Sequence, residues 1–566
     1  MEQTATSKIQ IGSTVSIRAN IIYPVLIFTV WLITYIICRF VFPHMLGWDE
    51  MAYLSVARGI AEDFDFGGRS YTVMGLLKYG YPSNLINFPV YPIYLALFFK
   101  LFGSSQMVAY FATWLAALGV CFLIYFIFLK LVPNNYKAAF IVSLSYLFFP
   151  TILKNCDTAM MEQAGCFLLC LLTLFLIQEF EKGAFNFLSI LKISFMLLIL
   201  WLYKILFIGL IFGTAVFIIL SYKFNKSKLS LTMFLASVYG FFTVLYLLVQ
   251  KFIFYPVAPM VNFHPSQESK QVYADFLGGL FNNFPEHIIS NISAFFKVVI
   301  GSYFLYPSIY YKYDGELATY QNSILALSSY YFLIGVYLFL LLLMVVLLFA
   351  AWKKLNDKTK IFLSFALSSI LMFMVALIIV FKVYHENFWR YNTYYLPLFL
   401  CSLGIIIIAN YDYLKPFVTE HPNVSKGILA TFFVCLYIPL SVSTIDQYTL
   451  YEKKFHTIAK TNADFIRFFL KDEKPAFIYF NDGIHTPFVD YPIKQIFKDA
   501  TNEQIVKANT ILPVPIEYLF LKQTDWLYQI NKEKILNQEP LLNGEYGIYG
   551  YTEGKQVVVY KYRGKG

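Results

Sequence analysis

Long apolar runs at 21–41, 108–129, 324–351 and 361–381 constrain this chain more than any other feature. Each reaches or exceeds the roughly 20 residues that a helix needs to cross a bilayer. Inside hydrocarbon the backbone finds hydrogen-bond partners only within its own helix, so repeated runs of this length predict a helical, polytopic membrane protein. Composition agrees: 58% of the 566 residues are hydrophobic and 14% are charged, where soluble domains carry about 25% charged residues. The formal net charge of +10 is spread over short loops between the runs, not gathered on one segment. That distribution reads as membrane topology, and no nucleic-acid partner is expected.

Eleven spans are predicted, at 20–42, 107–129, 137–152, 162–178, 187–203, 205–221, 229–253, 324–351, 361–383, 394–410 and 426–443. Residues 187–221 read as one long helix or as two turning near Trp201 to Lys204. Lys and Arg in short loops mark the cytoplasmic side. They occur at Lys8/Arg18, Lys130/Lys137, Lys182, Lys223/Lys226/Lys228, Lys353/Lys354/Lys358/Lys360 and Lys415/Lys426, and placing all six groups inside requires the pair. The N-terminus is then cytoplasmic on an uncleaved first span, with 43–106, 153–161, 254–323 and everything after 444 outside. Six of seven cysteines (Cys38, Cys121, Cys166, Cys170, Cys401, Cys435) lie in or beside apolar runs and only Cys156 in a loop, so no disulfide framework is implied. Two units are expected: a transmembrane part at 1–443 and a small outer α/β domain at 444–566. The tail's helical pattern "HTIAKTNADFIRFFLKD" precedes strand-like "KPAFIYFND" and "KQVVVYKYR".

Acidic residues are costly near a span and are kept away unless they have a task. Yet Asp49 and Glu50 stand just past the first span, in "WDEMAYLSVARGIAED", and Asp157 and Glu162 border the fourth. If 48–62 is helical, Asp49 shares a side with Tyr53, Val56 and Ile60, while Glu50 turns aside with Leu54, Ala57 and Ala61. Arg58 and Glu62, four apart, read as a structural pair. The residues alone leave open a solvated loop that only sets topology. Next, "NLINFPVYPIYLALFFKLFG" at 84–103 is short for a span and predicts a helix along the outer interface, walling a lipid-facing groove. The candidate groove residues are Tyr53, Asn87, Pro89, Tyr91 and Pro92. In "FKVYHENFWRYNTYYLPLF" at 381–399, Arg390 with Tyr391 offers a planar grip on phosphate, or an aromatic belt with a snorkelling cation. Lys204 carries the same two readings, and Arg58 and Lys78 complete the candidate phosphate contacts.

Together these stretches resemble the GT-C glycosyltransferases, over roughly 20–410, and within them the protein O-mannosyltransferase and lipid A aminoarabinose transferase group. The Asp-Glu pair, Tyr and Ala-Arg of that group match Asp49, Glu50, Tyr53, Ala57 and Arg58. The resemblance implies that Asp49 is the general base. It places the second-loop acid best on Glu162, with Asp157 the weaker match, and the Arg-Tyr before a late span on Arg390 and Tyr391. Where the aminoarabinose transferases have a Glu-Lys pair before the two prolines, this chain has Ile86 and Asn87. The resemblance therefore does not carry that sugar or the lipid A acceptor.

The expected architecture is an all-α polytopic GT-C enzyme with a small outer α/β domain, in a bacterial inner membrane. The expected activity moves a sugar, with inversion, from a polyprenyl-phosphate donor to a lipid, glycan or protein acceptor on the periplasmic face. Such chemistry needs a groove for the lipid chain, cations for the leaving phosphate and a base near the incoming hydroxyl. No metal is expected to be required: His44, His264, His287 and His385 are scattered without ligand spacing. One rival is a transporter or flippase of a lipid-linked substrate, which predicts broken or repeated helices with charges at mid-membrane. Another is a cell-surface glycan polymerase or ligase using His287 and the 254–323 loop.

Overall fold

The computed structural model describes residues 21–39, 48–64, 70–73, 76–77, 90–149, 151–153, 158–183, 187–204, 207–225, 237–240, 339, 342–380, 393–427, 429–430, 437, 457–471, 473–481, 493–497 and 499–564. The first helix, α1 (Ile21–Arg39), is apolar and mostly exposed. It is fastened to the bundle where the Trp31 indole Nε1 donates to the Trp114 carbonyl at 2.8 Å. Two shorter helices follow, α2 (Trp48–Asp63) and α3 (Val90–Phe102). The longest, α4 (Gln106–Leu131), opens on a Ser105 cap whose hydroxyl accepts the Val108 N–H. Its 26 residues rise about 39 Å, enough to cross hydrocarbon about 30 Å thick.

α5 (Tyr136–Leu147) and α6 (Glu162–Glu181) pack on α4, and α7 (Phe187–Tyr203) and α8 (Ile208–Asn225) follow in the chain. The chain breaks between Tyr203 and Ile208, so the two-helix reading of 187–221 holds. α7 packs on α6 and α3, whereas α8 runs along α10 (Asp357–Val380), the helix after α9 (Leu342–Trp352). The α8–α10 contact is close because Gly209 and Gly213 face it. A Cβ on Gly213 would collide with the Ser369 hydroxyl, and one on Gly209 would lie 2.7 Å from the Ser369 carbonyl oxygen. Small residues at this spacing are how membrane helices approach without a hydrophobic driving force.

Among the described residues, four helices are long and apolar enough to span: α1, α4, α6 and α10 over Asp357–Val375. The protein is thus a multi-pass membrane protein. The spans expected at 229–253, 324–351 and 426–443 lie largely outside the described residues, as does the 254–323 loop. The helix at Tyr411–Glu420 was not foreseen. The bundle helix α11 (Leu396–Ala409), entered through a 3-10 turn at Thr393–Tyr395, stops at Asn410, and α12 (Tyr411–Glu420) leaves it at 75°. Periodicity over ten residues with an internal proline reads more readily as a loop.

The two ends of α6 differ in charge. At its C-terminal end Glu181 holds Lys130 at 2.5 Å and Lys358 at 2.9 Å, and Glu179 holds Lys182 at 2.6 Å. Three of the predicted basic loops therefore meet at one end of the bundle. Glu162 stands at the other end, about 30 Å away along a 20-residue helix.

Beyond α13 (Thr457–Leu470) lies a six-stranded sheet in the order β1-β3-β2-β4-β6-β5. Its strands are β1 (Ser70–Thr72), β2 (Phe477–Phe480), β3 (Lys494–Phe497), β4 (Tyr518–Lys522), β5 (Tyr546–Tyr551) and β6 (Val557–Tyr562). The first four in that order run parallel, and β6 and β5 close the other edge antiparallel. All four residues of β2 are buried, as a parallel strand covered on both faces requires. Ile478, Phe480, Tyr518 and Phe520 pack under Ile466, Phe469 and Leu470 of α13. Phe477, Tyr479, Ile496 and Leu519 pack under Ile505 and Ala508 of α14 (Asn502–Ile511), which starts with a Thr501/Gln504 capping box.

The predicted strands at 474–482 and 555–563 and the helix before them are all present. The expected boundary at 444 does not contain the whole sheet, however: β1 comes from the first inter-span loop. Ser70, Tyr71 and Thr72 pair with Gln495, Ile496 and Phe497, and Val73 and Leu76 are fully buried in the sheet's core. Three residues carry too short an alternation to be recognised as a strand, and their partner is distant in the chain.

Candidate active site

Glu50 sits in the first turn of α2 with no solvent exposure, on the stripe it shares with buried Leu54, Ala57 and Ala61. Its Oε1 accepts the backbone N–H of Ala159 at 3.0 Å. That bond matters because a buried carboxylate without donors is strongly destabilising. It also ties 158–161, the segment entering α6, to the helix carrying Asp49 and Glu50. Glu162, equally buried, occupies the first turn of α6, where the helix dipole favours negative charge.

Aromatic residues from three helices close over these acids. Tyr91 of α3 meets Tyr53 of α2 edge-on at 5.3 Å and Tyr203 of α7 at 6.2 Å. Its phenol lies 3.5 Å from the Thr113 hydroxyl. Burial pushes the Tyr91 phenol well above its ordinary range, and the Glu162 and Glu50 charges push it further, so both carboxylates act on one buried ring. The Tyr203 hydroxyl donates to the Met161 carbonyl and Tyr53 reaches the Met161 sulfur at 3.5 Å, fixing the turn before Glu162 from both sides.

The segment before α11 docks on the same helix end. Cys166 Sγ donates to the Thr393 carbonyl at 3.2 Å. Gly165 leaves room for Tyr394 and Tyr203, whose ring atoms would lie 2.8 and 3.0 Å from a Cβ there. The residue after Glu162, Gln163, accepts from the Tyr146 hydroxyl at 2.5 Å.

The structure thus brings together Glu50, Glu162, Tyr53 and Tyr91, with Pro92 buried on the same face of α3. Leu97, Leu101 and Phe102 form that helix's exposed face. Of Asp49 the helical backbone is described and the side chain lies outside the described residues. Asp157, Arg390, Tyr391, Lys78, Asn87 and Pro89 also lie outside them, although Thr158 and Thr393 beside them belong to the cluster. Lys204 is half-buried directly after Tyr203, at the same end of the bundle. Arg58 is buried and donates from Nε to Glu62 at 2.7 Å, as the spacing of four implies. Glu50 lies on the predicted stripe with Leu54, Ala57 and Ala61, and that side of α2 meets the second loop. Sequence reading missed Tyr203, Met161 and Ala159. Two of these act through backbone groups, which leave no signature in residue type, while Tyr203 was flagged only by its neighbour Lys204. Among the described residues, no three of His, Cys, Asp and Glu gather as metal ligands.

A buried pair of acids under phenols, at the end of an apolar bundle, can orient and deprotonate a hydroxyl. No protein-family model matches the chain, and no curated protein matches it in sequence. Solved structures do. ArnT from Cupriavidus metallidurans bound to undecaprenyl phosphate superposes over 95% of this chain and 97% of that one, at 11% identity and a TM-score of 0.51. Its apo state gives 0.47 at 11% identity over the same shares. The Archaeoglobus fulgidus oligosaccharyltransferase tethered to an acceptor peptide gives 0.43 at 10% identity, covering 96% and 74%. The likeness to the first shows the fold: this chain is folded like ArnT.

Proposed function

We propose that the protein is an integral membrane glycosyltransferase that moves a sugar from a polyprenyl-phosphate donor to a hydroxyl acceptor on a lipid, surface glycan or protein. The observation that carries this reading is the convergence of Glu50 and Glu162, from segments over a hundred residues apart, in one buried tyrosine-lined site at a single end of a GT-C bundle. The ArnT structure of the same fold holds undecaprenyl phosphate, which supports a donor of that class. Asp49 is the general base that takes the acceptor proton as the acceptor oxygen attacks the anomeric carbon from the face opposite the leaving phosphate, inverting it. Glu50 positions the second loop, Glu162 with Asp157 sets the charge of the site, and Arg390, Tyr391 and Lys204 receive the leaving phosphate. No metal is required in this scheme. The basic loops face the cytoplasm of a bacterial cell, and the acid end and the C-terminal sheet face the periplasm.

The test uses purified protein reconstituted with polyprenyl-phosphate-linked sugars and membrane-extract acceptors. Sugar transfer should fall by roughly 10²–10⁴-fold in Asp49→Asn, the usual contribution of a general base. Folded Asp49→Asn protein working at the unsubstituted rate would remove Asp49 from this role. Movement of the intact donor across proteoliposomes without transfer would replace the whole reading.

A further inference from the structure

The proposed chemistry gives no role to α12. It leaves the apolar bundle helix α11 at 75°, and the bend sits on Asn410, whose side-chain amide donates to the carbonyls of Leu347 and Ile406 at 2.9 Å. None of its ten residues is buried by the rest of the protein. Around the helix, Tyr413, Phe417, Leu414, Val418 and Tyr411 fall on one continuous arc, wider than the roughly 100° apolar stripe of an ordinary surface helix. Lys415, Thr419, Asp412, Pro416 and Glu420 fill the rest. Tyr411, Tyr413, Phe417 and Val418 are about half exposed or more. Pro416 falls on the polar arc, so the Asp412 carbonyl that its ring cannot serve is on the side that water reaches.

We infer that α12 is an in-plane helix that seats its apolar arc in the bilayer interface, and that its partner is the anionic lipid surface. Two observations select this occupant. A helix that starts one residue after a bundle helix and turns nearly perpendicular to it is held at the depth where hydrocarbon meets headgroups. The charge there is also of the right sign. Lys354 lies over the Tyr413 ring at 4.2 Å, Lys415 is exposed on α12 itself, and Lys353 and Lys426 are exposed as well. Lysines near an anionic leaflet are attracted to it. The helix then acts as a float that sets the depth of the basic end.

The experiment uses the full chain in vesicles of phosphatidylethanolamine and phosphatidylglycerol. Spin labels are placed at Phe417→Cys and Val418→Cys on the apolar arc and at Thr419→Cys on the polar one. The described native cysteines are buried, and unsubstituted protein supplies their background. Labels at 417 and 418 should collide with dissolved oxygen severalfold more than with an aqueous nickel chelate, and the label at 419 should show the reverse. Replacing phosphatidylglycerol by phosphatidylcholine, or Lys415 and Lys426 by Gln, should move 417 toward water. Equal nickel access at 417 and 419 overturns the assignment. So does spin–spin broadening at 417, which would give the face to a second copy of the chain. Indifference to phosphatidylglycerol overturns the anionic partner.

Discussion

The proposed mechanism gives the neighbours Asp49 and Glu50 different work, and substitution separates them. A glutamine at 50 keeps an oxygen that can accept the Ala159 N–H, whereas alanine leaves that buried donor empty, at about 1–3 kcal/mol. Glu50→Gln should therefore retain most transfer activity while Glu50→Ala loses it together with thermal stability. Equal loss in both would mean that the charge itself is needed. The acids and the Arg58–Glu62 pair were legible because charges are out of place beside a membrane span, Tyr53 through its helical spacing from Asp49, and Tyr91 through its place between the two prolines. The contacts of Ala159 and Met161 were not, since any residue supplies a backbone N–H or carbonyl. Gly165 was equally silent. Its role is the absence of a side chain where Tyr394 and Tyr203 meet, which only the packed structure displays.

At the level of elements, the long apolar helices declared themselves, and 187–221 is broken into α7 and α8. Helix α12 and strand β1 escaped because each is too short for its period to stand above noise. The α8–α10 contact makes its own prediction. Gly213→Leu must displace Ser369 or separate the helices, an overpacking that costs about 1–3 kcal/mol. It should lower the melting temperature in detergent, while Gly183→Ala, at an exposed turn with nothing nearby, should cost only its left-handed backbone strain. For β1 the matching test is Val73→Asp, which puts a charge into the sheet core. Limited proteolysis should then cut the C-terminal sheet faster, although the substitution lies in another part of the sequence.

At the scale of the whole molecule, the two ends of α6 carry different groups. Lys130, Lys182 and Lys358 cluster about Glu179 and Glu181 at one end of α6, and Glu50 and Glu162 lie at the other. Membrane-impermeant cysteine reagents applied to right-side-out vesicles should reach an engineered cysteine at Asp499, which shares the sheet's side of the membrane with α2. They should not reach one at Lys354 until the vesicles are opened. Labelling of both from the same side would break the assignment of ends.

Because β1 pairs with Gln495, the helix bearing Asp49 and Glu50 is made more than four hundred residues before its sheet partner exists. At the usual pace of translation that interval lasts on the order of tens of seconds. During it Val73 and Leu76 have no core to enter, so the site's first loop matures only when the last strands arrive. A ribosome that stalls or a chain cut short would thus leave an inert product. The shared sheet makes completion of synthesis a condition for the folding of the site's first loop.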